Sequence, residues 1–113
     1  MLTGHYTDVE AVAPGMPDAQ ATIRWLITRE KGARHFAMRV IEIAGKGDRI
    51  PLHAHDYEHE VFVLEGTGRA LTETGSRDLV PGDYVFVEPG EKHGFENTGT
   101  ALFRFICVIP NPA

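Results

Sequence analysis

Histidine is the residue through which this chain can do chemistry. Three of its six histidines fall within seven residues, in the run His53-Ala54-His55-Asp56-Tyr57-Glu58-His59. A fourth, His93, stands just beyond Pro89-Gly90. Neutral imidazole is the commonest nitrogen ligand of transition metals, and three in one short segment is a metal-site spacing. Successive side chains of a strand face opposite ways, so His53 and His55 share a face, and His59, Val61 and Val63 keep the same parity. If strand character continues through residues 56–58, all three imidazoles point inward, and His93 closes the site from across a barrel.

Two other readings compete. His55 and His59 are also four residues apart, the spacing of a helical zinc-protease motif. That motif places glutamate directly after the first histidine, whereas Asp56 stands here, and Pro51 before and Val61-Phe62-Val63-Leu64 after favour a strand. The plain alternative is a patch of surface histidines, and the shared parity argues against it. His5 and His35 are isolated in the sequence and read as solvated.

The elements that must position these residues follow from the pattern around them. Residues 1–21 carry Pro14-Gly15 and Pro17 and read as an N-terminal arm, with a short strand near residues 6–9 or simply a tail. Residues 22–113 read as a barrel. Strands are expected at 22–28, 36–43, 61–64, 69–73, 77–80, 84–87, 95–97 and 101–109, separated by Gly- and Pro-containing turns about every ten residues. Neither face of 36–43 is fully polar, which predicts a strand buried on both sides or bulged. No stretch sustains a helical period. The fold class is therefore all-β, a sandwich or a small closed barrel with room for one site.

Bulk properties narrow the function. A chain of 113 residues suits one domain with a core that needs no disulfide staple. The net charge of −5, with no basic run, argues against a nucleic acid or an anionic membrane as partner. The single cysteine, Cys107, excludes an intrachain disulfide and suits a reducing compartment. No apolar stretch reaches the ~20 residues of a spanning helix. The N-terminus lacks a basic segment followed by an apolar one, so a cytoplasmic protein is expected.

With two motifs in hand, the chain resembles the cupins, small β-barrel (jelly-roll, double-stranded β-helix) proteins. The first cupin motif runs glycine, five residues, His-x-His, three or four residues, glutamate, six residues, glycine; here it reads Gly47, His53-Ala54-His55, His59, Gly66. The second runs glycine, five residues, Pro-x-Gly, two residues, histidine, three residues, asparagine; here it reads Gly82, Glu88-Pro89-Gly90, His93, Asn97. Glu88 stands where the second motif has proline, a turn variant. The more consequential departure is His59 in the usual glutamate position. Glu58 and Glu60 are the alternative carboxylates, and the parity of Glu60 directs it away from His53 and His55. The resemblance is to compact bacterial cupins with a four-histidine site, and it implies one divalent transition metal per chain, manganese first, then iron, nickel, cobalt, copper or zinc. It also implies a homodimer. Outward Phe62 and Leu64 and the two-faced strand at 36–43 point the same way, with the arm available to the interface.

Four neutral ligands would leave the full 2+ charge on the ion. An octahedral ion would keep two positions open for water, oxygen or substrate, while tetrahedral zinc would be closed. In the last strand Phe103, Phe105, Cys107 and Ile109 share one face; Arg104 on the other suggests that this first face points inward. Phe95, Phe105, Ile109 and Val61 are then the apolar wall of a substrate pocket. Cys107 is either a small buried hydrophobe or a thiol near the metal. Arg39 either reaches the cavity and holds an anionic substrate, or is solvated or at an interface. Trp25 is assigned to the core, and Tyr57 and Glu58 to the outside or a loop. The expected function is a metal-dependent oxidoreductase of dioxygenase type acting on a small organic substrate. The alternatives are a non-redox metal-dependent isomerase or hydrolase, and a non-catalytic binding or sensing module.

Overall fold

The described residues form nine strands: β1 (Thr22–Ile27), β2 (Phe36–Ile43), β3 (Arg49–His53), β4 (His59–Glu65), β5 (Gly68–Thr72), β6 (Gly75–Leu79), β7 (Tyr84–Val87), β8 (His93–Asn97) and β9 (Phe103–Pro110). The computed structural model describes residues 1–112; Ala113, the last residue of the barrel expected over 22–113, lies outside the described residues. The strands form two antiparallel sheets, ordered β1-β2-β9-β4-β7 and β3-β8-β5-β6. Their inner faces meet in one core, where the rings of Phe95 on β8 and Phe105 on β9 lie 4.8 Å apart. This is the all-β class expected from the strand pattern, in the jelly-roll barrel form that the cupin resemblance implies. Among the described residues no helix is long and apolar enough to cross a membrane.

β9 shows how sequence becomes packing. Phe103, Phe105, Cys107 and Ile109 are buried while the residues between them are half-exposed. Burying each large apolar side chain contributes roughly 1.5–3 kcal/mol, so a slip of one residue would forfeit the whole set.

β2 is buried on both faces. Ala37, Arg39, Ile41 and Ile43 face inward, and Val40 and Glu42 are also covered. On the outer face Glu42 accepts hydrogen bonds from Arg24 Nε at 3.0 Å and Arg104 Nε at 2.9 Å. The arm straps this face: Arg24 Nη1 donates to the Val9 carbonyl at 2.6 Å, and the Tyr6 ring lies under the Arg104 guanidinium at 4.8 Å. Where a short strand near residues 6–9 or a plain tail stood open, the chain forms a 3-10 turn, Tyr6–Asp8. His5 Nδ1 accepts from the Thr7 amide there, a local bond that competes with a sheet ladder. Among the described residues the arm makes one β-bridge to the sheet, Val12 to Ile23.

Asn97 closes the far end of β8. It is fully buried, donates to the carbonyls of Ile43 (2.8 Å) and Ala101 (3.0 Å), and accepts from the Gly99 amide at 2.9 Å. One side chain thus ties the end of β2 to the β8–β9 connection.

Candidate metal centre

β3 ends on His53 and β8 begins on His93, and the two are register partners with ring centroids 4.3 Å apart. The close approach depends on Gly94, where a Cβ would meet the Ile50 carbonyl oxygen at 2.5 Å. His59 opens β4 in the opposite sheet. Strand character does not persist through residues 56–58, so the single-strand parity expected for the three histidines is corrected. Residues 54–58 cross from one sheet to the other, and His55 sits on the crossing. Its carbonyl accepts the amide of Gly90, whose φ of 80° is in the left-handed region glycine favours. That bond ties the first histidine motif to the turn preceding His93.

The four rings converge all the same. Centroid separations are 4.6 Å for His53–His55, 4.7 Å for His55–His59, 5.0 Å for His59–His93 and 5.3 Å for His55–His93. The tightest group is His53, His55 and His93, whose ligand nitrogens lie within 4.8 Å of one another. His59 stands outside that group, with its Nδ1 3.3 Å from Cys107 Sγ. Nδ1 of His53 and of His93 each lies 2.8 Å from a backbone carbonyl, Pro51 and Glu91 respectively. A carbonyl only accepts, so each Nδ1 carries the proton and each Nε2 keeps a free lone pair. Nε2 of His59 and Nε2 of His93 are buried and have no hydrogen-bond partner. Buried polar atoms are rarely left unpaired; the His93 lone pair in this state fits a metal ion, and His59 Nε2 fits one in the tautomer whose Nδ1 donates to Cys107 Sγ. Glu58 and Glu60, the alternative carboxylates, are both exposed.

Electrostatics favour the neutral ligand form. The His59 pKa is pushed down to about 3, first by burial, then by the nearby Arg39 charge. That of His55 falls to about 4, again first by burial, then by His53 and His93. His93 is lowered by burial, with its bond to the Glu91 carbonyl opposing. Burial also raises the Cys107 thiol, keeping it protonated at neutral pH.

The histidines line a cavity of about 210 Å³. Phe95, Phe105, Cys107, Ile109 and Arg39 line it too; Val61 is buried in the core but is not part of the wall. Arg39 is only 8% exposed, with Nη2 donating to Cys107 Sγ at 2.8 Å and the guanidinium 5.2 Å from the Trp25 ring centroid. Of the two placements open for it, the cavity is the one observed. Four contributors went unread in the sequence. Tyr57 lines the cavity and stacks on His55 at 4.8 Å, although it was assigned outward; its parity with His53 and His55 was the available signal. Trp25 is wall as well as core, and Pro14 and Met16 reach in from the arm, for which the sequence carries no local signal. His5 and His35 are exposed and remote from the cluster.

Residues 39–109 match the Cupin_2 family, described as a cupin domain. The structure of the polyketide cyclase RemF from Streptomyces resistomycificus is similar with 34% identity and a TM-score of 0.92, covering 99% of this chain and 80% of that one. An oxalate-binding protein from Thermotoga maritima is 34% identical over 64 residues, which are 56% of this chain and 53% of that protein. A cupin-2 domain from Rhodospirillum rubrum (21% identity, TM-score 0.80, 98% of this chain and 75% of that one) shares the fold. The chain spans about half the length of the Thermotoga relative.

Proposed function

The chain belongs to the cupin family, and from that premise we propose that it is a divalent-metal enzyme acting on a small, oxygen-rich organic substrate without net redox change. His53, His55, His59 and His93 are the proposed ligands. The observation that carries this is the pair of unpartnered Nε2 atoms on His59 and His93 beside the grouped nitrogens of His53 and His55. With four neutral ligands a bound Mn²⁺, or iron, nickel, cobalt, copper or zinc in its place, supplies an undiminished 2+ charge that polarises carbonyl oxygens.

The chain's own residues supply the rest. Phe95, Phe105 and Ile109 exclude water from the reacting carbons, and Tyr57 offers a phenolic hydroxyl to hold or pass a proton. That placement favours a non-redox reaction, which otherwise lacks an acid–base group. The 34% identity to a polyketide cyclase over nearly the whole chain supports ring closure as its form. In such a closure a carbon loses a proton and bonds to a carbonyl carbon, whose oxygen takes that proton and becomes a hydroxyl; the same carbon then loses its second proton, a C=C bond forms, and the hydroxyl leaves with that proton as water.

A dioxygenase remains the second reading, motivated by a neutral, open-sided histidine site in an apolar cavity. Protein purified without chelators, analysed for metal and then given a panel of small 1,4- and 1,5-diketones and the corresponding keto acids, separates the two. Product formed with loss of water and no oxygen uptake supports the cyclase-type reading. Oxygen uptake matching product overturns it in favour of the dioxygenase. Metal-free protein that takes up no divalent ion refutes both. We also propose a homodimer through the exposed Phe62, Tyr84 and Phe86 at the β4–β7 edge, which light scattering checks. A cytoplasmic setting, which would keep Cys107 a thiol, belongs to the same proposal.

A further inference from the structure

Five arginines of this barrel are at least partly buried or ion-paired, and one differs from the rest. Arg24 and Arg104 pair with Glu42, Arg49 and Arg69 with Glu96, and Arg104 also with Glu65. Arg39 is the most buried of the five, and among the described residues it makes no ion pair with any carboxylate. Its Nη2 meets only the sulfur of Cys107, and its Nε is buried without a partner. Among the described residues no Asp or Glu is part of the cavity wall. A guanidinium is always charged, and a buried charge without a counterion is costly unless something supplies one.

The position is built by the sheet. Trp25, Arg39 and Cys107 are successive cross-strand partners on β1, β2 and β9, so they form one row across the inner face. Trp25 holds the guanidinium from one side and Cys107 from the other, and through the same sulfur the row touches His59. The free Nε therefore belongs to a group fixed in place, beside the histidine cluster and in the wall of the cavity.

We propose that Arg39 is an anion-binding residue of this cavity and that the substrate is a small organic carboxylate. The inference rests on the cavity being the substrate site, as argued above, and adds the chemical class of what enters it. The carboxylate takes the Arg39 fork, the apolar body packs against Phe95, Phe105 and Ile109, and the remaining oxygens reach the histidine side. Size limits the body. An apolar cavity of roughly 150 Å³ accommodates benzene, so about 210 Å³ suits a single ring or a short chain.

The protein carries one tryptophan, Trp25, against the guanidinium itself, and its emission is the readout. Metal-free protein is titrated with benzoate and with benzamide, a neutral molecule of the same shape. Benzoate is expected to bind about ten- to a hundred-fold tighter, the range for hydrogen bonds to a charged group. Arg39→Met should remove that preference, and Arg39→Lys, which keeps charge without the fork, should keep part of it. If Arg39→Met does not fold, Arg39→Lys carries the test, and benzoate binding equal to the parent's overturns the proposal. So does a parent with no preference for benzoate, or a preference that survives in folded Arg39→Met. Metal uptake by the same preparations is read separately. A parent that takes up metal but ignores the charge of the ligand refutes only the anion site. A parent that prefers benzoate but takes up no metal refutes only the metal reading.

Discussion

Replacing Asn97 tests whether one side chain holds the end of the strand that carries His93. Asn97→Ala removes two donated hydrogen bonds and one accepted one, at 2.8, 3.0 and 2.9 Å. The Ile43 carbonyl is then stranded in a fully buried position, at about 2 kcal/mol, while the Ala101 carbonyl and Gly99 amide are part-buried and cost about 0.5–1 kcal/mol each. The total of about 3 kcal/mol is a large share of the 5–15 kcal/mol that typically stabilises a domain. With a urea m-value of about 1.5 kcal/mol/M, the unfolding midpoint should fall by about 2 M. The measurement belongs on metal-free protein, because a bound ion adds its own stabilisation. Asn97→Asp sharpens the test: it has the same shape, but its carboxylate would face two carbonyl oxygens and can donate to neither. Burial among acceptors raises the folded pKa of the introduced carboxyl above its unfolded value of about 3.9. The penalty is then absent below about pH 3.9 and grows as pH rises towards the folded pKa, so acidification should narrow the gap to the parent. An Asn97→Ala midpoint within about 0.5 M of the parent, or an Asn97→Asp gap that does not shrink on acidification, would refute this account of Asn97.

Four further outcomes are expected. His59→Ala should weaken metal affinity by more than about 100-fold, since even residues behind a ligand contribute 10–100-fold, whereas His59→Glu should retain metal; competition with a fluorescent chelator measures both. Metal-free protein should lose stability as pH falls from 6.5 through about 4 and about 3, because the folded pKa values of His55 and His59 lie below their ordinary value and the unfolded chain binds those protons first. Urea midpoints across that window, with metal release followed in parallel, test it. Glu42 is held below the usual carboxylate range because hydrogen bonds from Arg24 and Arg104 outweigh the opposing effect of burial. Glu42→Ala should cost about 3 kcal/mol by urea unfolding, since on a covered face it leaves Arg24 without a carboxylate and Arg104 with Glu65 alone. Gly94→Ala should push β3 from β8 and cost about 1–3 kcal/mol in the same assay, with weaker metal binding because His53 and His93 are register partners there.

Much was legible in the sequence because strand chemistry is local. Alternation in β9 put Phe103, Phe105, Cys107 and Ile109 on one face before any partner was known, and the same face is buried. The two-sided burial of β2 followed from the absence of a polar face; that the covering group is Tyr6 and the arm did not, because nothing between residues 6 and 42 signals their contact. The arm also shows a local signal left unused: the His5–Thr7 bond that makes a turn is short-range, and it could have decided between the strand and the tail left open there.

For the candidate site the division is different. By itself the sequence determined which imidazoles are close in the chain and that His93 lies in a second motif at a matching spacing. It also determined that histidine occupies the usual place of glutamate at His59. Only the tertiary structure decided how they meet. The chain leaves one sheet at His53 and enters the other at His59, so the rings converge across the barrel rather than along one strand. It alone decided that Arg39 is buried between Trp25 and Cys107 without a carboxylate partner. The physical reason is range: side-chain direction repeats every two residues and can be read from neighbours, whereas the register that aligns Trp25, Arg39 and Cys107 joins three strands far apart in the chain.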